Sequence, residues 1–214
     1  MADNYLEKKY EEFKNSKKVV VKRTNPSLDT LLIKNRSTRG YLKEHVVRVD
    51  ELEKIVRVNT QIASGRNQQV LRFRLVTKGV EAEKVVGCVR MGSALKDITL
   101  PLPGTEPEAF IVACLQKGKE EDRIVDVDLG ISLQSMLLKA VEMGLNGLVI
   151  MAFNKEKLKE ALMLENEPLA VLAIGKGIEK FQLLQISEGD DHTYYRKEGI
   201  HYIPKVKLED LLIH

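Results

Sequence analysis

Residues 128–143, DLGISLQSMLLKAVEM, read as a helix stopped by Gly144, with apolar side chains almost all the way round it. A surface helix needs only one apolar stripe, so a helix of this kind is covered on several sides. The cover is either a core built by this chain or a core shared with a second subunit. Ser132 and Ser135 are small enough to let a neighbour approach closely. The rest of the chain therefore has to supply sheet and helices to surround this segment.

It offers both. AFIVACL (109–115) reads as a buried strand, VLRFRLVT (70–77) as a strand rich in β-formers, 147–151 as a short strand and LAVLAIG as another. Leu28, Leu31 and Leu32 mark a helix capped by Asn25 with Pro26 at its first position and ending near Gly40. Asp50 with Glu53 resembles a capping box and opens a helix in which Leu52, Ile55, Val56, Asn59 and Ile62 share a face. A further helix falls near 154–163, and Tyr5, Leu6, Tyr10 and Phe13 suggest a peripheral one within residues 1–24. SGRNQQ (64–69) is a loop, 81–90 fits helix or strand, and TLPLPGTEPE is a proline-broken connection. Repeats and linkers are absent, which makes residues 1–214 a single α+β domain.

The balance of 34 basic and 31 acidic residues, a net charge of +3, disfavours a nucleic-acid-binding protein, which would carry a basic stripe. The apolar runs GLVIMAF and PLAVLAIG fall far short of the roughly 20 residues of a membrane span. EKKYEEFKNSKK near the start has no apolar leader region. Cys88 and Cys114 lack metal or redox spacing and read as reduced thiols, so a cytoplasmic protein is expected. The four histidines (His45, His192, His201 and His214) show no ligand spacing, and no metal is expected.

Three polar clusters remain. KNRSTRGYL places Arg36, Ser37 and Arg39 at a helix end, where cations also suit the macrodipole. On a continuing helix Arg36 and Arg39 would be neighbours and could surround an anion. The loop Ser64–Gln69 offers Asn67 and Gln69, and alternation in an extended Pro204–Lys207 puts Lys205 and Lys207 on one side. Guanidinium forks bind phosphate bidentately and lysines add point charge. A primary amide such as Asn67 presents donor and acceptor side by side, which suits a flat heteroaromatic edge. Neither G-x-G-x-x-G after a strand nor G-x-x-x-x-G-K-[ST] occurs. The residues alone thus suggest a phosphorylated organic ligand held from several loops.

The order of these clusters resembles the nitroreductase family of FMN-dependent oxidoreductases across residues 27–212. Asn35 to Tyr41 is similar to its R-[RH]-S-x-[RK]-x-[FY] motif, and Ala63 to Gln69 to its A-P-S-x-x-N-x-Q loop. Asp128, Gly130, Gln134, Leu138, Ala140, Glu142, Gly144 and Leu145 match its central helix, and Pro204 to Leu208 its C-terminal P-K-x-[RK]-L. The resemblance implies a largely antiparallel mixed sheet flanked by helices, and a homodimer with FMN between the subunits. It implies that Arg36 and Ser37 hold the FMN phosphate and ribityl chain with Lys205 and Lys207. Arg39 and Asn67 would meet the pyrimidine edge with Gln69 nearby, and Ile150, Met151 and Ala152 would lie along the ring near N5. Departures are Asn35 for the usual first arginine, Val70 and Leu71 for Pro-Trp, and Met151 where a glutamate is common.

The activity so implied is hydride transfer from NAD(P)H through FMN to a nitroaromatic, quinone or related small acceptor, in a ping-pong cycle. The cofactor carries the chemistry, so no catalytic side chain is required. The alternatives are a family member specialised for another flavin-dependent reduction and a non-enzymatic flavin carrier. Neither the physiological acceptor nor a preference between NADH and NADPH follows from the residues.

Overall fold

The computed structural model describes residues 25–92, 95 and 98–213; the N-terminal helix expected within residues 1–24 lies outside them. At its centre is an antiparallel sheet in the order β1-β2-β4-β3, with β1 Leu71–Val76, β2 Ala109–Leu115, β3 Asn146–Ile150 and β4 Glu167–Gly175. All of β2 is buried and nearly all of β4, so neither shows a polar face. Continuous apolar runs such as AFIVACL and LAVLAIG are what a sheet covered on both faces requires.

Successive side chains point to opposite faces, and the core divides accordingly. On one face Ile111, Ala113, Leu115, Leu172 and Ile174 pack against Leu52 and Ile55 of α2 (Val49–Val56) and Leu129, Leu133 and Met136 of α4 (Arg123–Glu142), with α1 (Leu28–Lys34) lying outside α4. On the other, Phe110, Val112, Cys114, Val171 and Ala173 meet Ala82 and Val85 of α3 (Val80–Val86) and Leu158 and Leu162 of α5 (Lys155–Leu162). The α+β expectation holds in this layered form. Burial pushes the Cys114 thiol up to about 11, and both cysteines are free.

Several boundaries differ from the sequence reading, each for a local reason. The central helix begins at Arg123 because the Asp122 carboxylate accepts from the Ile124 and Val125 N–H groups, both at 2.9 Å. Helix α1 is capped by Ser27, whose hydroxyl accepts from Thr30 N–H, and it stops at Lys34 rather than near Gly40. In α2 the back-bonding carboxylate is Glu51, which accepts from Arg48 N–H at 3.0 Å. Asp50 turns instead to Arg48 and Lys54. The ambiguous 81–90 region contains helix α3.

Beyond β4 the chain builds a second sheet, in which β5 (Lys180–Ile186) runs parallel to β7 (Ile200–Val206) and β6 (Tyr195–Lys197) antiparallel to it. The two-residue turn joining β6 to β7 is Glu198–Gly199, with φ of 52° and 75°. Positive φ at both centres is the geometry that matches strand twist in a tight hairpin. A short helix, α6 (Leu208–Leu211), follows β7. Among the described residues no helix is long and apolar enough to cross a membrane, and no three His, Cys, Asp or Glu side chains gather as metal ligands.

Candidate functional site

Residues 35–41 do not continue α1. They run extended along the outer edge of β3, where Ser37 bridges Gly147 in parallel and Thr38 N–H donates to Gly147 O at 3.1 Å. Tyr41 then bridges Gly177 beyond β4, and its hydroxyl donates to Thr38 O at 2.6 Å. Arg36 and Arg39 are therefore not neighbours on a helix surface, which corrects the reading of these cations as a helix terminus. The close fit at Gly147 explains the glycine. A Cβ there would lie 2.5 Å from Leu137 Cδ2 and 2.9 Å from Ala173 O.

This pairing sets the first cluster beside the start of β3, with Ile150 to Ala152 three to five residues, about 10–16 Å, further along the chain. Ile150 is buried, Met151 is exposed, and Ala152 O accepts from Arg90 N–H at 2.8 Å. Arg36 faces a cleft of about 400 Å³ lined also by Lys34, Thr38, Asn146, Lys176 and Glu179. Its Nη2 donates to Leu32 O, while its buried Nε has no partner. Three cations on one cleft, one with an orphaned buried donor, suit a phosphate-bearing ligand.

Arg39 is buried in a cluster that the second sheet supplies. Its backbone N–H donates to Glu179 Oε2 at 2.5 Å, and its guanidinium donates to Ser37 O at 3.0 Å and reaches the Tyr194 hydroxyl at 3.5 Å. The guanidinium also lies over the Tyr194 ring, 5.2 Å from its centroid. Glu179 forms an ion pair with Arg196, and His201 sits between the Tyr194 and Phe181 rings with both nitrogens unpartnered. Burial, helped by Arg39 and Arg196, brings the His201 pKa down to about 4. Burial also lowers the Arg39 and Arg196 pKa values from the ordinary guanidinium value. Arg39 Nε has no acceptor, so a ligand oxygen or nitrogen at this point would complete its hydrogen bonding.

Asn67 and Gln69 lie elsewhere. Their loop precedes β1, at the opposite edge of the sheet from β3, and three strand spacings amount to about 14 Å. Gln69 Nε2 donates to Asn67 Oδ1 at 2.9 Å, and both residues are exposed. Asp128 of α4 holds the loop, accepting from Ser64 Oγ at 2.7 Å and from Gly65 N–H at 2.8 Å. A cavity of about 510 Å³, lined in part by Asn59, Ser64, Gln69, Asp128 and Ser132, opens beside it.

Lys205 and Lys207 lie at the far end of β7, where Lys205 is in register with Gln185 and Lys207 is 3.8 Å from Asp210. His201 is the second residue of the same strand, and the four residues of extended chain from it to Lys205 span about 13 Å. Among the described residues, no hydrogen bond or ion pair joins these lysines, or Asn67, to Arg36 or Arg39. Sequence reasoning missed Glu179, Tyr194, Arg196 and His201. The one available signal was the Glu-Gly turn, which folds Arg196 back against His201.

A family model described as Nitroreductase family matches residues 32–176. No curated protein matches the chain. Among solved structures, a nitroreductase family protein from Clostridium difficile 630 is similar at 24% identity and a TM-score of 0.56, covering 70% of this chain and 83% of that one. One from Streptococcus pneumoniae TIGR4 is similar at 16% and 0.57, covering 73% and 93%. The FMN and NADPH-dependent nitroreductase NfnB from Sphigopyxis sp. strain HMH is similar at 17% and 0.56, covering 72% and 89%.

Proposed function

The chain belongs to the nitroreductase family, and from that premise we propose that it is an FMN-dependent oxidoreductase working between NAD(P)H and a small electron acceptor. The observation that carries this reading is the Arg36–Arg39 segment laid along β3, with two guanidiniums that each keep a buried, unpartnered Nε. Orphaned buried donors are costly, at about 1–3 kcal/mol each, and an acceptor-rich anionic ligand relieves them. Arg36, with Lys34 and Lys176 on the same cleft, would take the phosphate, and Ser37 the ribityl chain. Arg39 would take the pyrimidine edge, while Ile150, Met151 and Ala152, at the far end of β3, would lie along the ring. FMN, when bound, would supply the redox chemistry that carries hydride from NAD(P)H to a nitroaromatic, quinone or related acceptor. The chain's own groups bind, orient and charge-balance the cofactor, and none serves as a general base. We read residues 1–214 as one such domain, acting in the cytoplasm.

Riboflavin tests the phosphate role. Apoprotein is expected to bind FMN at least tenfold more tightly than riboflavin, since a charge-assisted hydrogen bond contributes about 1.5–3 kcal/mol. Equal affinities in a fluorescence titration would remove Arg36 from that role. Anaerobic NADH or NADPH should then bleach the bound flavin; a carrier's flavin would stay oxidised.

The separation of Asn67 and Gln69 from Arg39 within one protomer favours a site completed by a second copy. Helix α1 buries none of its residues, and its exposed Leu28, Leu32 and Ile33 lie outside α4, where Val127 and Ile131 are also exposed. Asn35 links the two helices through Gln134 at 3.4 Å. We expect a homodimer burying more than roughly 2,000 Å², the range of obligate interfaces. A monomer mass by light scattering with FMN still bound would overturn this.

A further inference from the structure

The buried cluster around Arg39 holds two guanidiniums and one carboxylate. Glu179 touches Arg39 only through the backbone N–H, and its Oε1 is ion-paired with Arg196, whose Nε and Nη2 make no hydrogen bond. The Arg39 guanidinium meets neutral acceptors alone, Ser37 O and the Tyr194 hydroxyl, and its Nε meets none. A carboxylate this close to Arg39, with a side chain only 8% exposed, would ordinarily claim the nearest guanidinium. What diverts it is the β6–β7 hairpin, which presents Arg196 beside His201 on the same strand pair.

We propose that Arg196 is a positioning residue: by holding Glu179 it keeps the Arg39 guanidinium uncompensated, and so available to the electron-rich edge of a planar ligand. The proposal rests on the flavin reading above, in which that edge is the flavin pyrimidine. Arg196 touches no reacting atom and acts through Glu179. Removing Arg196 leaves Glu179 buried beside Arg39 with only the Arg39 backbone N–H to accept from. The carboxylate then turns to the Arg39 guanidinium, and the net charge of the cluster falls from +1 to zero. Removing Glu179 as well restores the net charge and frees Arg39 again, although it repairs no packing. A merely structural ion pair also lets the second substitution recover stability, because it removes the uncompensated carboxylate, but it predicts no change in the potential of the bound flavin in any of the variants.

The experiment titrates full-length apoprotein with FMN and follows the reduction potential of the bound flavin in wild type, Arg196→Gln, Arg196→Lys, Glu179→Gln and the Arg196→Gln/Glu179→Gln double variant. Arg196→Gln is expected to weaken FMN binding about tenfold and to make the flavin harder to reduce, an effect typical of unpairing a buried charge. Arg196→Lys keeps the cation and recovers most of the binding. The double variant binds within about threefold of wild type, an interaction that a double-mutant cycle isolates. Glu179→Gln alone still offers an oxygen to the Arg39 N–H and binds at least as tightly as wild type, which keeps the test informative if Arg196→Gln does not fold. A double variant as weak as Arg196→Gln, or an Arg196→Gln protein indistinguishable from wild type in affinity and potential, overturns the role given to Arg196 and leaves the flavin reading intact. A wild-type protein that takes up no FMN overturns both.

Discussion

Asp128→Ala is expected to lower stability by about 2–3 kcal/mol and to release the loop that carries Asn67 and Gln69. The carboxylate is buried, and it accepts from the Ser64 hydroxyl and the Gly65 N–H. Ser64 Oγ in turn accepts from Gln69 N–H at 3.1 Å, so one side chain ties both ends of the loop to α4. The loop needs that tie because Arg66, Asn67 and Gln69 all have positive φ, near 50°. Non-glycine residues in that region are strained by about 1 kcal/mol or more each, and they persist only where their surroundings fix them. Gly65 cannot add a side chain, since a Cβ would lie 2.2 Å from Ile124 Cγ2. Asp128→Asn keeps one acceptor oxygen, and its loss should be about half as large. Urea unfolding of the two variants reads the difference, and FMN affinity should fall in the same order if Asn67 meets the ligand. Wild-type stability in Asp128→Ala would show that the loop holds its geometry without the carboxylate.

The layers of the main sheet were legible because their signal is local. AFIVACL and LAVLAIG are too apolar for a solvated strand, and the central helix has no polar face. The sequence reading began that helix at Asp128, five residues late. The actual cap is Asp122, and Asp128 faces inward to hold a distant loop. The extended course of residues 35–41 was not legible at all. Lys34, Arg36 and Arg39 suit a helix end as well as they suit a strand, and what decides is pairing with Gly147 and Gly177, more than a hundred residues away.

The site divides in the same way. Arg36, Ser37 and Arg39 were read from a motif, and the structure sets them beside the start of β3, whose far end leads into Ile150 to Ala152. Asn67 and Gln69 were read by the same means yet sit at the other edge, because a motif carries order along the chain and no information on where the sheet order places each part. The partners of Arg39 were invisible for a different reason. Glu179, Tyr194, Arg196 and His201 are separated by strands and turns of the second sheet, and only the register of β5, β6 and β7 gathers them.

His201 should make the C-terminal sheet sensitive to acid. In the folded chain its pKa is brought down to about 4 from the ordinary 6.5, because burial and the nearby Arg39 and Arg196 all oppose a charged ring. Between these two values the unfolded chain binds a proton that the folded chain refuses, so stability falls as pH drops from 6.5 towards 4. Above 6.5 the ring is neutral in both states and the full stability remains. A gap of this size corresponds to at most about 3 kcal/mol, and about 2 is expected once local opening relieves part of the burial. His201→Phe removes the titration and both unpartnered nitrogens while extending the aromatic packing between Phe181 and Tyr194. The variant should therefore match or exceed wild type at pH 7 and exceed it clearly at pH 4.5. Carboxylates held low elsewhere, such as Glu106 by its own backbone N–H with help from Lys43 and Glu167 by Lys159, titrate alike in both proteins and cancel in the comparison. The measurement is urea unfolding of both proteins across pH 4–7, and parallel curves would show that His201 does not set the acid response.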